Sequence, residues 1–386
     1  MLFGLDAIPL TEARAGVGRY TLELARSLAA LSPADEFELA YPSSYKPINL
    51  ADEEGPAPPN LSEARVSVGA LGRRWWSVGL PRYAARRRLD LFHGTNYEVP
   101  LWGSAARVVT VHDLSLLTRP ETHERRRVAR ARVRLPMMAR AADAVVVPTE
   151  AVRREACERL GLDASKVFTV HEAAGDLFRP LAFEETEGAR RRLGVGDEFL
   201  LSVGTLEPRK NLPVLLRAFE EVLRARPASQ LRLVLAGRTG WLAEPFLAAV
   251  ADSPARPRVV LTGYLKDDDL RSLYASCRAF VYPSVYEGFG LPPLEAMSCA
   301  APVVAGRGPA LEEVAGDAAR LFDPANAEEL ARILLELLDD AAARRTLSDA
   351  GTRRARDFSW EKTARLTLDV YAEAMRRKKG RPFTRP

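Results

Sequence analysis

Cysteine is scarce in these 386 residues: only Cys157, Cys277 and Cys299 are present. They show no metal-ligand spacing. So sparse and odd a count excludes a disulfide scaffold and points to a reducing compartment. No run approaches the roughly 18 apolar residues that a membrane-spanning helix requires. The opening MLFGLDAIPL has neither a basic leader nor a long apolar core, and reads as a first strand rather than a signal peptide. Lysine is missing from Arg73 to Arg140, where fifteen arginines face five acids. The whole chain carries only +5, so the charge is concentrated there, and an anionic partner is expected at that surface. What is plentiful is ordinary globular material, 47% hydrophobic and 28% charged, which excludes a disordered chain. The length suits two domains.

The chemistry is densest between Val281 and Gly306. Ala279–Pro283 is a short apolar run that reads as a buried strand. Glu287-Gly288-Phe289-Gly290 reads as a turn with two permissive glycines. Pro292 and Pro293 suit the first turn of a helix, and Pro302–Ala305 starts the next strand. Such a turn presents backbone N–H groups at the positive end of a helix, where an anion binds. Glu287 and Glu295 are separated by seven residues. Carboxylates accept hydrogen bonds from vicinal hydroxyls, so a sugar and a ribose suit them. Taken singly, Glu295 also fits as a complement to the helix dipole and Glu287 as a solvated loop residue.

The full string EGFGLPPLEAM resembles the Glu-x7-Glu motif of the retaining family 4 glycosyltransferases. That resemblance implies an α/β chain of the GT-B fold: two Rossmann-like domains facing across a cleft, with a C-terminal helix crossing back to the first. It implies that Glu287 contacts the donor sugar and Glu295 the ribose. Backbone at Gly288, Phe289, Gly290 and Leu291 would meet sugar and diphosphate.

Further segments extend the likeness. Phe199–Val203 reads as a strand followed by GTLEPRKN, which resembles the family's phosphate segment after Gly204. Lys210 matches the family lysine. Many members carry an arginine where this chain has Thr205, and Arg209 is the expected substitute. A guanidinium can grip a diphosphate bidentately, and an ammonium acts as a point charge. Gly237-Arg238 and Gly263-Tyr264-Leu265 correspond to loops that flank the nucleobase. In the first half, Gly16 and Gly18 match a glycine loop facing acceptor or diphosphate. VTVHDLS matches the acceptor-side His-Asp segment, making His112 and Asp113 candidates, with His93 a weaker one. A histidine at the carboxyl end of a parallel strand stands where doubly wound sheets bind ligands. The family's Asn-Gly segment before the linker is replaced here by HEAAGD, so His171 and Glu172 depart from the pattern. His123 heads an arginine-rich helix over 124–142, expected to be solvated, and is given no role. Asp267-Asp268-Asp269 reads as the acidic start of a helix rather than a metal motif, because Leu270, Leu273 and Tyr274 continue it.

These readings give an N-terminal acceptor-side domain over 1–174 and a nucleotide-sugar domain over 175–358. A crossover helix covers 359–376 and a basic tail 377–386. The expected enzyme moves a hexose from a nucleotide diphosphate sugar, GDP-mannose preferred, to a glycan or lipid-linked acceptor in polysaccharide biosynthesis. It does so with retention and without metal or other cofactor. Glu287, His112, Lys210 and Arg209 are the candidate catalytic residues. The expected location is cytoplasmic, peripheral on the inner face of an anionic membrane. Arg126, Arg130 and Arg134 line one face of the helix over 124–142, and Trp75 and Trp76 neighbour the arginines. Two alternatives stand beside this: a non-catalytic binder of RNA or anionic surfaces, and an epimerase of the same fold. The aromatic platforms expected for RNA are not evident, so nucleic acid is not the expected partner.

Overall fold

A computed structural model describes residues 1–12, 16–50, 55–68 and 74–380. Arg73 and the end of the expected basic tail, 381–386, lie outside them. Two parallel sheets organise the chain. The first contains β1 (Leu2–Asp6), β2 (Glu36–Pro42), β3 (Leu61–Val66), β4 (Leu91–Gly94), β5 (Ala106–Thr110), β6 (Ala144–Val147) and β7 (Val167–Thr169), in the order β3-β2-β1-β4-β5-β6-β7. The second contains β8 (Phe199–Val203), β9 (Arg232–Ala236), β10 (Val259–Gly263), β11 (Ala279–Tyr282), β12 (Val303–Gly306) and β13 (Arg320–Phe322), in the order β10-β9-β8-β11-β12-β13.

Central strands such as AVVV of β6 and VVAG of β12 are buried throughout, as a parallel sheet covered by helices on both faces demands. Leu200, Leu233 and Val281 point to one face of the second sheet, into a cluster with Leu215 and Phe219 of the helix Leu212–Ala225. Leu201, Val234 and Phe280 point to the other, against Leu273 and Tyr274 of the helix Asp267–Ser276. The period of two along each strand thus becomes two apolar layers. Both sheets are doubly wound, and each has one point where strand order reverses: between β1 and β4, and between β8 and β11.

Contacts divide the chain into two compact units that do not follow chain order. The first comprises Met1–Leu114, Ala129–Glu172 and Ser359–Pro386; the second comprises Ser115–Val128 and Ala173–Phe358. The segment Ser115–Val128 therefore leaves the continuous first domain expected from the sequence. The final helix, Trp360–Lys379, runs past the expected end at 376. It lies in the first unit, where Tyr371 packs with its ring centroid 5.3 Å from that of Phe3. Asp267–Asp269 form the first turn of their helix, and Asp269 pairs with Arg192. Among the described residues, no helix is long and apolar enough to cross a membrane.

The ends of β8, β9 and β10 are fastened in turn by backbone. Gly204 N–H donates to the Ala236 carbonyl at 2.9 Å, and Gly237 N–H to the Gly263 carbonyl at 2.9 Å. Gly237 has φ +149°, and a Cβ there would lie 1.9 Å from the Gly204 carbonyl oxygen. No side chain fits this approach. Gly237→Ala should therefore cost at least ~3 kcal/mol of stability. Gly188→Ala, in open space inside the helix Glu187–Leu193, should gain up to ~1 kcal/mol. Denaturant unfolding of the two variants checks the contrast; equal midpoints would contradict the loop geometry.

Candidate active site

The reversal between β8 and β11 is where a doubly wound sheet leaves a crevice at its carboxyl edge. Beyond β8 the chain passes Gly204 and makes a tight turn, Pro208–Lys210, before the helix Leu212–Ala225. Beyond β11 it passes Pro283 and Ser284 toward Glu287. A backbone bond and a side-chain amide hold the loops side by side. Val285 N–H donates to the Arg209 carbonyl at 3.0 Å. Asn211, in the left-handed region at φ +54°, donates through Nδ2 to the carbonyls of Pro283 at 3.1 Å and Pro324 at 2.7 Å.

This register brings together two cations and two carboxylates. Lys210 Nζ lies 2.7 Å from Glu287 Oε1 and donates to the Tyr282 hydroxyl at 2.6 Å. Arg209 bridges both acids, reaching Glu287 Oε2 at 2.8 Å and Glu207 Oε1 at 2.7 Å. Ser284 Oγ donates to Glu287 Oε1 at 2.6 Å, and Arg209 also donates to the Tyr286 carbonyl at 2.9 Å. All four charged side chains are at most 13% exposed. Burial pushes the Glu287 carboxyl up, but Arg209 and Lys210 outweigh it and hold it at about 2, so it is ionised. Burial pushes Lys210 down, against the pull of Glu287. Burial raises Glu207 above the ordinary carboxylate range, and its Oε2 is buried with no hydrogen-bond partner. The cluster is formally neutral. An arriving anion therefore competes with Glu287 and Glu207 for Lys210 and Arg209.

The glycine turn lies beside this cluster in sequence and leads into the helix Leu291–Ser298. Gly290 caps it at φ +102°, and a Cβ there would press on Leu311 at 2.6 Å. The Phe289 and Leu291 side chains are buried with Leu294 and Val314, so only their backbone can meet a ligand. Glu295 is buried and accepts a hydrogen bond from the Tyr274 hydroxyl at 3.0 Å. At and beyond the end of β10, Gly263 lies in open space, Tyr264 is exposed, and the Leu265 side chain is in the core. Arg238 accepts a backbone hydrogen bond from Leu206 N–H at 2.8 Å, part of the loop fastening.

In the first unit, Gly16 caps the helix Val17–Leu31 at φ +50°, and Gly18 packs where a Cβ would lie 2.9 Å from the Pro9 carbonyl. Residues 13–15, just before them, are outside the described residues. His112 follows β5 with Tyr20 edge-on to its ring at 4.7 Å, and the Asp113 N–H donates to the Tyr97 hydroxyl at 3.1 Å. His93 is corrected from the sequence reading. It is fully buried, and Tyr371 and Thr110 occupy its two ring nitrogens at 2.8 Å each. Burial drives its pKa down to about 3. It is a neutral core group with no nitrogen to offer a ligand. Trp75 likewise is buried against Leu80, Tyr83 and Phe92 rather than facing outward, with Trp76 partly buried beside it. His123 is not solvated either: in the second unit it stacks on Trp241 with ring centroids 5.6 Å apart, and Arg127 covers that indole at 4.7 Å.

Residues 184–354 match the family described as Glycosyl transferases group 1, and residues 14–173 the one described as Glycosyltransferase Family 4. Over 388 residues the chain is 31% identical to O-antigen chain mannosyltransferase B of Escherichia coli, covering 96% of this chain and 99% of that protein. The chain belongs to the GT-B glycosyltransferases. The serotype-specific mannosyltransferase WbdA of Escherichia coli is 32% identical over 238 residues, 61% of this chain but 29% of that longer protein. HepE of Anabaena, solved in complex with UDP and glucose, superposes with a TM-score of 0.74 at 19% identity, covering 96% of this chain and 99% of that one. That likeness is one of fold.

Sequence reasoning about this glycosyltransferase omitted Glu207, Tyr282 and Ser284. All three sit inside the motifs already singled out, GTLEPRKN and VYPSVYEGFG, and a test for polar residues flanking the named ones would have found them. Trp241 carried no signal, because its partners come from a segment more than a hundred residues earlier.

The Glu287 pairing has a pH signature. The Glu287 carboxyl sits at about 2 in the folded chain against an ordinary 4.5. Its stabilising contribution is present above 4.5 and is lost as pH falls toward 2. Melting temperature in that window should therefore fall more steeply in the parent than in Glu287→Gln. Parallel slopes in the two melting series would refute the ion pairing.

Proposed function

We propose that this glycosyltransferase takes a hexose from a nucleotide diphosphate sugar, with GDP-mannose preferred, and passes it with retention to a glycan or lipid-linked acceptor in polysaccharide biosynthesis. The observation that carries the proposal is the buried set Arg209–Lys210–Glu287 at the reversal point of the second sheet. Lys210 and Arg209 exchange a carboxylate oxygen for diphosphate oxygens, and Glu287, so released, accepts hydrogen bonds from the donor sugar. Backbone of the glycine turn Gly288–Leu291 meets the diphosphate, and Glu295 takes the ribose. These cations and the helix N-terminus stabilise the departing diphosphate, the work a metal ion does elsewhere. The bond from the anomeric carbon to the diphosphate oxygen breaks, and the bond to the acceptor oxygen forms on the same face. The acceptor's proton passes to the departing phosphate oxygen, so no protein nucleophile is needed. The mannosyl preference is supported by relatives named as mannosyltransferases.

Calorimetry of nucleoside diphosphate binding in EDTA tests the site. Lys210→Ala should weaken binding by ~1.5–3 kcal/mol, the range for hydrogen bonds to charged groups, or ~10–100-fold. Glu295→Gln should also lose affinity, whereas Glu287→Gln should bind nearly as the parent does and fail in transfer. Parent-like binding in all three, or binding that requires magnesium, would overturn the assignment.

An acceptor presented at an anionic membrane surface is the reading that the exposed face of the helix Arg125–Ala141 supports. Val128, Ala131, Leu135 and Met138 are buried. Arg126, Arg130, Val133 and Met137 recur at helical spacing on an exposed face, with Val133 68% and Met137 40% exposed. Cations interleaved with apolar side chains suit an anionic bilayer, at ~1 kcal/mol per cation near the surface. Arg134, which the sequence grouped with them, is engaged by Glu98. Cosedimentation with anionic vesicles should fall with salt and with Arg126→Glu plus Arg130→Glu, and zwitterionic vesicles should bind weakly. Binding indifferent to charge and salt would indicate a soluble acceptor.

A further inference from the structure

His112 stands just past β5, and each of its ring nitrogens faces an acceptor. Nε2 lies 2.8 Å from the Thr95 carbonyl oxygen, and Nδ1 lies 3.1 Å from Glu172 Oε1. A carbonyl oxygen and a carboxylate both accept, so in this geometry both nitrogens donate and the ring is an imidazolium. The site is built to keep that charge. The His112 side chain is 11% exposed and that of Glu172 6%. Tyr20 meets the ring edge-on at 4.7 Å, and Tyr97 packs at 5.9 Å. The titratable groups facing the ring are Glu172 from the segment after β7, Asp113 beside it, the neutral His93 of β4, and these two tyrosines. Burial opposes the charge, but Glu172, the Thr95 carbonyl and Asp113 outweigh it, and the ring's proton affinity is raised.

The carboxylate is aimed by an anchored backbone. Val170 N–H donates to the Val147 carbonyl at 2.9 Å, and Thr363 Oγ1 donates to the His171 carbonyl at 2.7 Å. Glu172 is the last residue of the first unit before the chain enters the second at Ala173.

We propose that Glu172 is a positioning residue for glycosyl transfer, fixing His112 as a doubly protonated ring at the carboxyl edge of the first sheet; the inference rests on the transfer reaction proposed above. Held this way, His112 cannot take the acceptor's proton. It supplies a fixed charge and a fixed ring plane. Deprotonation would leave one ring nitrogen bare against an acceptor and remove the charge, so transfer should fail on the alkaline side where the ring loses its proton. In Glu172→Gln the amide can turn its NH2 toward Nδ1 and donate to the neutral ring.

The test uses the full chain with isotopically labelled histidine, whose four residues make assignment by substitution practical. In the parent, His112 should titrate above the ordinary value of about 6.5. Glu172→Gln should lower that midpoint by at least about one unit, a tenfold loss in proton affinity, and Glu172→Asp should recover part of it. In parallel, the alkaline limb of kcat against pH should move down by the same interval in Glu172→Gln. On the acid side of both measured midpoints, kcat should stay within about threefold and KM for the donor should hold. An unmoved His112 midpoint, or a ring already neutral at pH 7 in the parent, would overturn the assignment. So would an alkaline limb that stays in place while the midpoint moves. If Glu172→Gln does not fold, the smaller shift expected of Glu172→Asp decides in the same way. If the parent turns over no nucleotide sugar, the transfer reaction fails, and the titration still shows whether Glu172 holds the charge.

Discussion

The buried exchange of charge among Glu207, Arg209, Lys210 and Glu287 is the constraint from which the second unit takes its form. Two carboxylates and two cations removed from water are costly unless every one is paired in good geometry. That geometry exists because β8 and β11 are neighbours at the point where strand order reverses. It persists because Asn211 and Val285 tie the two loops together by backbone and amide hydrogen bonds. The left-handed Asn211, the zipped glycines at 204 and 237 and the tight Pro208–Lys210 turn all serve to place four charged atoms within hydrogen-bond reach. Neutrality has a chemical consequence. A simple anion gains little by displacing Glu287 from Lys210. Under the proposed function, a ligand that also offers hydroxyls to the displaced carboxylate would recover part of the loss.

Much of this was legible in the sequence because it is local. A strand, a glycine turn, a proline pair and a helix lie within one stretch, and EGFGLPPLEAM and GTLEPRKN each carry their chemistry in a few adjacent residues. The alternation of apolar runs and helical stripes was enough for a doubly wound α/β chain. The strand β3 escaped notice because only Leu61 is buried in LSEARV, an edge strand whose polar residues hide its period. β13 escaped because Arg320–Phe322 is too short to show one.

The sequence failed where a residue's meaning depends on distant partners. His93 and His112 both follow apolar strand residues and look alike in one dimension. Three dimensions separate them: Tyr371 and Thr110 enclose the first as a neutral core group, while Glu172 charges the second. The departure at Glu172, which read only as a mismatch, is the group that fixes the state of His112. His123 and Trp75 were read outward from their arginine-rich surroundings. Their rings are covered, because an arginine-rich stretch still needs apolar faces to pack and aromatic rings supply them.

The way the units interleave along the chain bears on the order in which they can be made. Every residue of the second unit, including Ser115–Val128, precedes Ser359. The first unit also contains the last helix, Trp360–Lys379, which delivers Tyr371 to His93 and Phe3. A ribosome therefore releases all of the second unit before the first can close its core. Domains generally fold as units and from the amino end during synthesis. Here the core around His93 and Phe3 stays incomplete until the helix Trp360–Lys379 emerges.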